Sequence, residues 1–170
     1  MPQKRAYSKT LRDRMSEIIK CQTDPRALEP IVDKWLEEVN NDKFGLKIEK
    51  GKAIDDLRQL VLGDDADLFL LVVQERVVGF SGVIIYENRL IDHKIANEHY
   101  WYVLPSYRKG KNPIKLLRAV EKWAKEHECS HMIMNASNLA SDNHDKVVRI
   151  YERLGYSLFE TSLIKKIEVA

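Results

Sequence analysis

Three runs between residues 67 and 104 constrain the fold most: DLFLLVVQ (67–74), RVVGFSGVIIYENRL (76–90) and ANEHYWYVL (96–104). They are rich in β-branched and aromatic residues, which suit half-buried strands. The tight QERV link makes the first two a hairpin. A short polar turn precedes the third, so a meander is the simplest arrangement. A helical pattern over about 113–127 then separates the third run from another strand-like run, SHMIMNAS (130–137). Strand, helix and strand in one layer run parallel, with a right-handed crossover. The chain therefore reads as α+β: a mixed, mostly antiparallel sheet with one parallel strand pair and helices on both faces.

The remaining segments fit that frame. MSEIIKC (15–21) reads as a short strand. TDPRALEPIVDKWLEEVNN reads as one helix, capped by Thr23 or Asp24, with Pro25 in its first turn. Leu28, Ile31, Val32, Trp35 and Val39 form its apolar face, and Pro30 is a candidate kink. GKAIDDLRQLVLG (51–63) reads as a second helix, with Ile54, Leu57, Leu60 and Val61 inward and Gly63 as its stop. The helix over 113–127 places Leu116, Leu117, Val120, Trp123 and Ala124 on one face. A helix over about 142–154 does the same with Val147, Ile150, Tyr151 and Leu154, and Gly155 closes it. SLFETSLIKKIEV reads as a last strand.

The length of 170 residues suits a single domain over 15–170, preceded by a basic tail or extra helix at 1–14. A net charge of +2 is too small to argue for nucleic acid. No recognised nucleic-acid motif accompanies the N-terminal Lys4, Arg5, Lys9, Arg12 and Arg14. No apolar run reaches membrane-span length, and the basic start lacks the apolar core of a signal peptide. Cys21 and Cys129 do not make a disulfide framework and read as reduced thiols. The expected location is cytoplasmic, without a membrane partner.

The chemistry concentrates in VLPSYRKGKNPIKLL (103–117). Arg108, Lys109, Lys111 and Lys115 surround Gly110 where a helix opens. A helix start already carries unpaired N–H groups and partial positive charge, so added cations there point to an anion. Asn112-Pro113 reads as an N-cap followed by a proline at the first helical position.

With VVRIYERLGYSLFE (147–160) behind it, this segment resembles the GNAT superfamily of acetyl-CoA-dependent N-acetyltransferases, especially small phage and bacterial members. The two stretches resemble V-x-P-x-Y-R-G-x-G-x-G-x-x-L-L and A-x-x-L-Y-x-K-L-G-F, over about residues 15–167. The resemblance implies acetyl-CoA as cosubstrate. It places Arg108, Lys109, Gly110, Lys111, Asn112, Pro113 and Ile114 around the pyrophosphate. It pairs Tyr102, Val103 and Leu104 with the pantetheine arm. Lys111 and Pro113 depart from the family's glycines, and Pro113 removes one N–H donor. Asn143 or the neighbouring His144 stands where the family often has an asparagine. Asn135 and Ser137, and more weakly Asn138, are candidates for bonds to coenzyme or acceptor.

Transfer to an amine needs a base for the amine proton and an acid for the leaving thiolate. Tyr151 matches the family tyrosine that protonates the sulfur. Glu98 is the expected base if its face borders the cleft, and His99 is the alternative. Simple alternation puts Glu98, Tyr100 and Tyr102 on one face and His99, Trp101 and Val103 on the other. No covalent enzyme intermediate is required. The acceptor is a primary amine on a small molecule, peptide or protein. The helices at 25–62 form part of its side, with Glu37, Glu38, Asp55 and Asp56. HECSH (127–131) lacks a fourth metal ligand, so no metal is expected. Trp35, Trp101 and Trp123 read as core or cleft wall. A catalytically silent module that binds a protein partner is the alternative function, and a homodimer stays open.

Overall fold

The structure, a computed structural model, describes residues 16–40, 44–86, 90–137 and 143–167. The expected tail at 1–14 and Asn138 lie outside these residues. One five-stranded sheet runs in the order β1 (Ser16–Lys20), β2 (Ala66–Val73), β3 (Arg76–Tyr86), β4 (Ile95–Val103) and β5 (His131–Ile133). The first four strands are antiparallel neighbours, and β5 runs parallel to β4. The β2–β3 hairpin turns through Gln74 and Glu75, with φ of 50° and 63°. Those are the left-handed values that a two-residue primed turn demands.

Helices cover both faces, as the patterning predicts. On one side lie α1 (Glu29–Val39) and α2 (Lys50–Leu62). Ile31, Val32, Trp35, Leu57 and Leu60 pack there with Leu68, Leu70, Phe80 and Tyr102. The other side is covered by α3 (Asn112–Glu126). Leu116 packs on Leu71, Val78 and Val103, and Val120, Trp123 and Ala124 pack on Val83 and Ala96. Being covered on both faces explains why β2 reads as a nearly continuous apolar run. The fourth helix, α4 (His144–Arg153), ends in a Schellman motif. The N–H of Tyr156 donates to Tyr151 O, that of Gly155 donates to Glu152 O, and Gly155 has φ of 96°.

Several boundaries differ from expectation. The single helix over 23–41 is split: Pro25–Leu28 forms a 3₁₀ turn capped by Asp24, and α1 starts at Glu29. Pro30 has no N–H, and its ring would clash with the carbonyl of Arg26, so a regular helix restarts there rather than running through. Gly63 stops α2 in an extended conformation with φ of −74°, not in a left-handed cap, and Val61 is only partly buried. The long strand expected at 130–137 shrinks to three residues. The last strand is not formed: residues 157–167 are exposed and without regular structure. Leu158, Phe159 and Leu163 have apolar spacing, but a strand needs a partner edge, and β5 has only three residues in its ladder.

Candidate active site

The site begins with an irregularity in β4. Val83 pairs with Glu98 and Gly82 pairs with Tyr100, which leaves His99 as an extra residue. Such a bulge breaks alternation. Val83 belongs to the core under α3, so Glu98 lies on that side. Tyr100 and Tyr102 face α1 and α2, where their rings meet Phe80. The expectation that Glu98 shares a face with both tyrosines is thus corrected, because the bulge reverses the alternation between them. His99 also turns to the α2 side: its Nε2 lies 2.8 Å from Asp56 Oδ2, and the same oxygen accepts the Tyr100 hydroxyl.

Glu98 is 5% exposed. Burial pushes its carboxyl up to about 7, moderated by donors from Asn135. The Asn135 main-chain N–H donates to Glu98 Oε2 at 3.0 Å. Its side-chain Nδ2 donates to the Glu98 carbonyl at 2.6 Å and to Asn97 Oδ1 at 2.8 Å. Here the parallel ladder ends: it runs from Ile95–His131 to Asn97–Ile133, and beyond that a side chain spans what main-chain bonds would have closed. This explains why β5 is short. Beyond Asn97, no strand among the described residues pairs with the outer edge of β4.

Tyr151, from the inner face of α4, reaches the same place. It is buried, and its hydroxyl donates to Asn135 O at 3.4 Å. Burial first, then the charge of Glu98, pushes its phenol well above the ordinary value. Trp101 stands beside it, with ring centroids 5.4 Å apart, and donates its indole N–H to Pro113 O at 3.2 Å. The structure therefore brings Glu98 and Tyr151 together, a carboxyl titrating near neutrality beside a phenol that stays protonated. His99 stands apart from this pair, across the sheet.

The basic segment follows. Pro105–Tyr107 makes a 3₁₀ turn, and Gly110 has φ of 97°, a value that favours glycine. The cap of α3 is Lys111, with no side-chain capping bond, so Asn112 and Pro113 are the first two helical residues rather than cap and first residue. Asn112 is 4% exposed, and its buried Oδ1 has no hydrogen-bond partner. Arg108 reaches back to the strand instead of into the loop. Its Nε donates to Val103 O at 2.7 Å, its Nη2 donates to Glu38 Oε2 at 2.7 Å, and its guanidinium lies 5.4 Å from the Tyr102 ring centre. Lys115 donates to Ser16 Oγ. Lys109, Gly110 and Lys111 are exposed, and Ile114 is half-buried.

On the strand edge, Leu104 donates its N–H inward to Val78 O at 2.8 Å, and Ser81 Oγ donates to Tyr100 O. By antiparallel alternation Tyr102 also points its N–H to β3, whereas Val103 and Trp101 turn theirs to the open edge. Val103 and Trp101, rather than Tyr102 and Leu104, thus present N–H groups along this edge, and sequence reasoning gave Trp101 only a packing role. Asn143 is exposed at the start of α4, about 12 Å along the helix from Tyr151 by the rise per residue. Asn135, expected to contact coenzyme or acceptor, commits its amide to β4. Among the described residues, no group of three His, Cys, Asp or Glu could hold a metal ion. His127 stacks on Trp123 and His131 bonds Ser130. An open depression of about 440 Å³ lined by Arg26, Glu29, Lys50, Ile54 and Arg58 shares no residue with the site. No helix among the described residues is long and apolar enough to cross a membrane.

Residues 32–156 match the acetyltransferase (GNAT) family profile. Among curated proteins none matches the chain. Similar solved structures include a ribosomal-protein-alanine N-acetyltransferase from Brucella melitensis, with 16% identity and TM-score 0.68, covering 89% of this chain and 99% of that one. The aminoglycoside acetyltransferase AAC(6')-Iy, in complex with a bisubstrate analog, has 17% identity and TM-score 0.66, covering 91% and 99%. An aminoglycoside acetyltransferase from an uncultured soil metagenomic sample, in complex with sisomicin, has 14% identity and TM-score 0.66, covering 93% and 99%. At these identities the likeness shows the fold.

Proposed function

This chain belongs to the acetyltransferase (GNAT) family, and we propose that it transfers an acetyl group from acetyl-CoA directly to a primary amine, with Glu98 as base and Tyr151 as acid. The observation that carries this reading is the meeting of a buried carboxyl near neutrality and a protonated phenol where β4 and β5 part. Three features fit the cosubstrate: left-handed Gly110, the helix start of α3 without a side-chain cap, and the open edge of β4. Lys109, Lys111, Asn112, Ile114 and the loop N–H groups would hold the pyrophosphate. Pro113 offers no N–H there, and Lys111 adds charge in its place. Acetyl-CoA supplies the activated acetyl group.

The chain's own residues do the rest. Val103 and Trp101 present peptide N–H groups along the open edge, able to hold an extended arm and to polarise a carbonyl. Glu98, ionised above about pH 7, accepts the proton of the attacking amine. Tyr151 keeps its proton until a thiolate needs it. Arg108 acts first as a structural tie between β4 and α1, through Val103 and Glu38. Helices α1 and α2 lie across the sheet from Glu98, where Glu38 ties Tyr102 and Arg108 and Asp56 ties His99 and Tyr100, so the expected acceptor role of these carboxylates is not part of this reading.

Thermal shift with acetyl-CoA and with coenzyme A tests the first step, since a ligand of the native state raises its stability. Free-thiol release across an amine panel tests the second. Aminoglycosides and peptides with N-terminal alanine belong in that panel, because the structural neighbours are named for such acceptors. Absence of stabilisation at millimolar acetyl-CoA would sink the reading. Stabilisation without thiol release from any amine would leave the silent-module alternative in its place.

A further inference from the structure

Asn135 is the residue on which the base, the acid and the gap between the strands converge. Its N–H donates to the carboxylate of Glu98, and its carbonyl accepts the hydroxyl of Tyr151. Its side-chain amide donates to the Glu98 carbonyl and to Asn97 Oδ1. Two bonds act on side chains that do chemistry, one fixes the Glu98 backbone, and one holds the side chain of the preceding Asn97. Resting on the reading of Glu98 and Tyr151 above, we infer that Asn135 is a positioning residue holding base and acid in one proton-exchange unit, in which Glu98 returns to Tyr151 the proton it took from the amine.

The balance closes. An N–H bond of the attacking amine breaks onto the Glu98 carboxylate, and the Tyr151 O–H bond breaks onto the leaving sulfur. Proton transfer from the carboxylic acid of Glu98 to the phenolate of Tyr151 then restores both groups. The net change is one proton moved from amine to thiol, with none drawn from solvent. The last transfer runs downhill, because the phenol holds its proton far more tightly than the carboxyl does. It requires the two groups to stay close while both are displaced from their resting charge. The Asn135 side chain provides that constraint, since main-chain pairing has already ended at Asn97 and Ile133. Its donors also favour the ionised form of Glu98.

The test uses the full chain with Asn135→Ala, and Asn135→Asp as a variant of equal volume that lacks the Nδ2 donor. Both should lower kcat about tenfold while the dissociation constant of acetyl-CoA stays within about twofold. In Asn135→Ala the acid limb of the kcat/KM profile should move to higher pH, because Glu98 loses the side-chain donor that favours its charged form while the main-chain N–H remains. In a Glu98→Gln background, either substitution should add little further loss, as expected for groups that act as a unit. If Glu98→Gln and Tyr151→Phe keep wild-type turnover, the base and acid assignment itself falls. If those two lose turnover but the Asn135 variants keep the wild-type pH profile, or their losses simply add, only the role of Asn135 is overturned. Loss of folding in both Asn135 variants would also overturn it, placing the residue in the scaffold alone.

Discussion

Glu98 and His99 are neighbours in sequence and opposites in setting. Glu98 is 5% exposed, on the α3 side of the sheet, with Asn135 donating to its carboxylate. The His99 side chain is 40% exposed, on the α2 side, bonded to Asp56. His99 is itself the extra residue of the β4 bulge, so His99 and Tyr100 both turn to one carboxylate while Glu98 stays with Tyr151. A strand bulge can therefore sort two proton-carrying side chains into different roles without moving either along the chain. Each measurement below tests whether that sorting is real.

The largest contrast is expected in turnover. Glu98→Gln should reduce kcat/KM by about 10²–10³-fold, the usual range for a lost general base, whereas His99→Ala should change it by less than about tenfold. Thiol-release kinetics at saturating acetyl-CoA decide this, and the reverse ranking would hand the role of base to His99. Tyr151→Phe comes next, with turnover lowered by roughly 10²-fold and coenzyme affinity nearly unchanged. Equal turnover in that variant would remove Tyr151 as the acid.

A third contrast concerns pH. The kcat/KM of the wild type should fall below about pH 7 as Glu98 takes up a proton, and the same limb should vanish in Glu98→Gln. Stability should move the opposite way. The folded carboxyl titrates near 7, above its unfolded value of about 4.3, so folding takes up a proton between the two. Stability from this group is complete below about pH 4.3 and is lost as pH rises through 7, where the loss reaches about 3 kcal/mol. Glu98→Gln should therefore raise the melting temperature at pH 8 by roughly 6–12 °C and change it little at pH 4.5. A calorimetric scan showing equal shifts at both pH values would contradict the burial of an ionised carboxylate. The smallest effect is expected at the loop. Lys111→Ala should weaken acetyl-CoA binding a few-fold at low salt and less at high salt, since an exposed charge is screened. An unchanged dissociation constant at both ionic strengths would contradict its role near phosphate.

The sheet was legible in the sequence because its signals are local and redundant. The β2–β4 runs are apolar over many residues, their links are short, and the helix before β5 forces the parallel pair. Leu116, Leu117, Val120, Trp123 and Ala124 follow helical spacing, and all are buried. What failed depends on non-local partners. The segment SLFETSLIKKIEV has strand-like apolar content, yet content does not provide an edge to join. The faces of β4 could not be read either, because a bulge is set by how two strands meet and leaves no mark in EHYWY. Asn112 looked like a cap because Asn-Pro usually is one, but Lys111 holds that place and the amide goes inside. Asn135 was visible as a polar residue at a strand end, but its four bonds arise from the splaying of β4 from β5.

Trp101 has an optical consequence. Trp35 and Trp123 are buried in the core, whereas the indole of Trp101 links the carbonyl of Pro113 to the ring of Tyr151 at the open edge of β4. Its emission is thus a built-in gauge of what happens at that edge. A chain in which Trp35 and Trp123 are replaced by Phe would carry one fluorophore placed between the start of α3 and Tyr151. Its spectrum should follow occupation of the edge without any label.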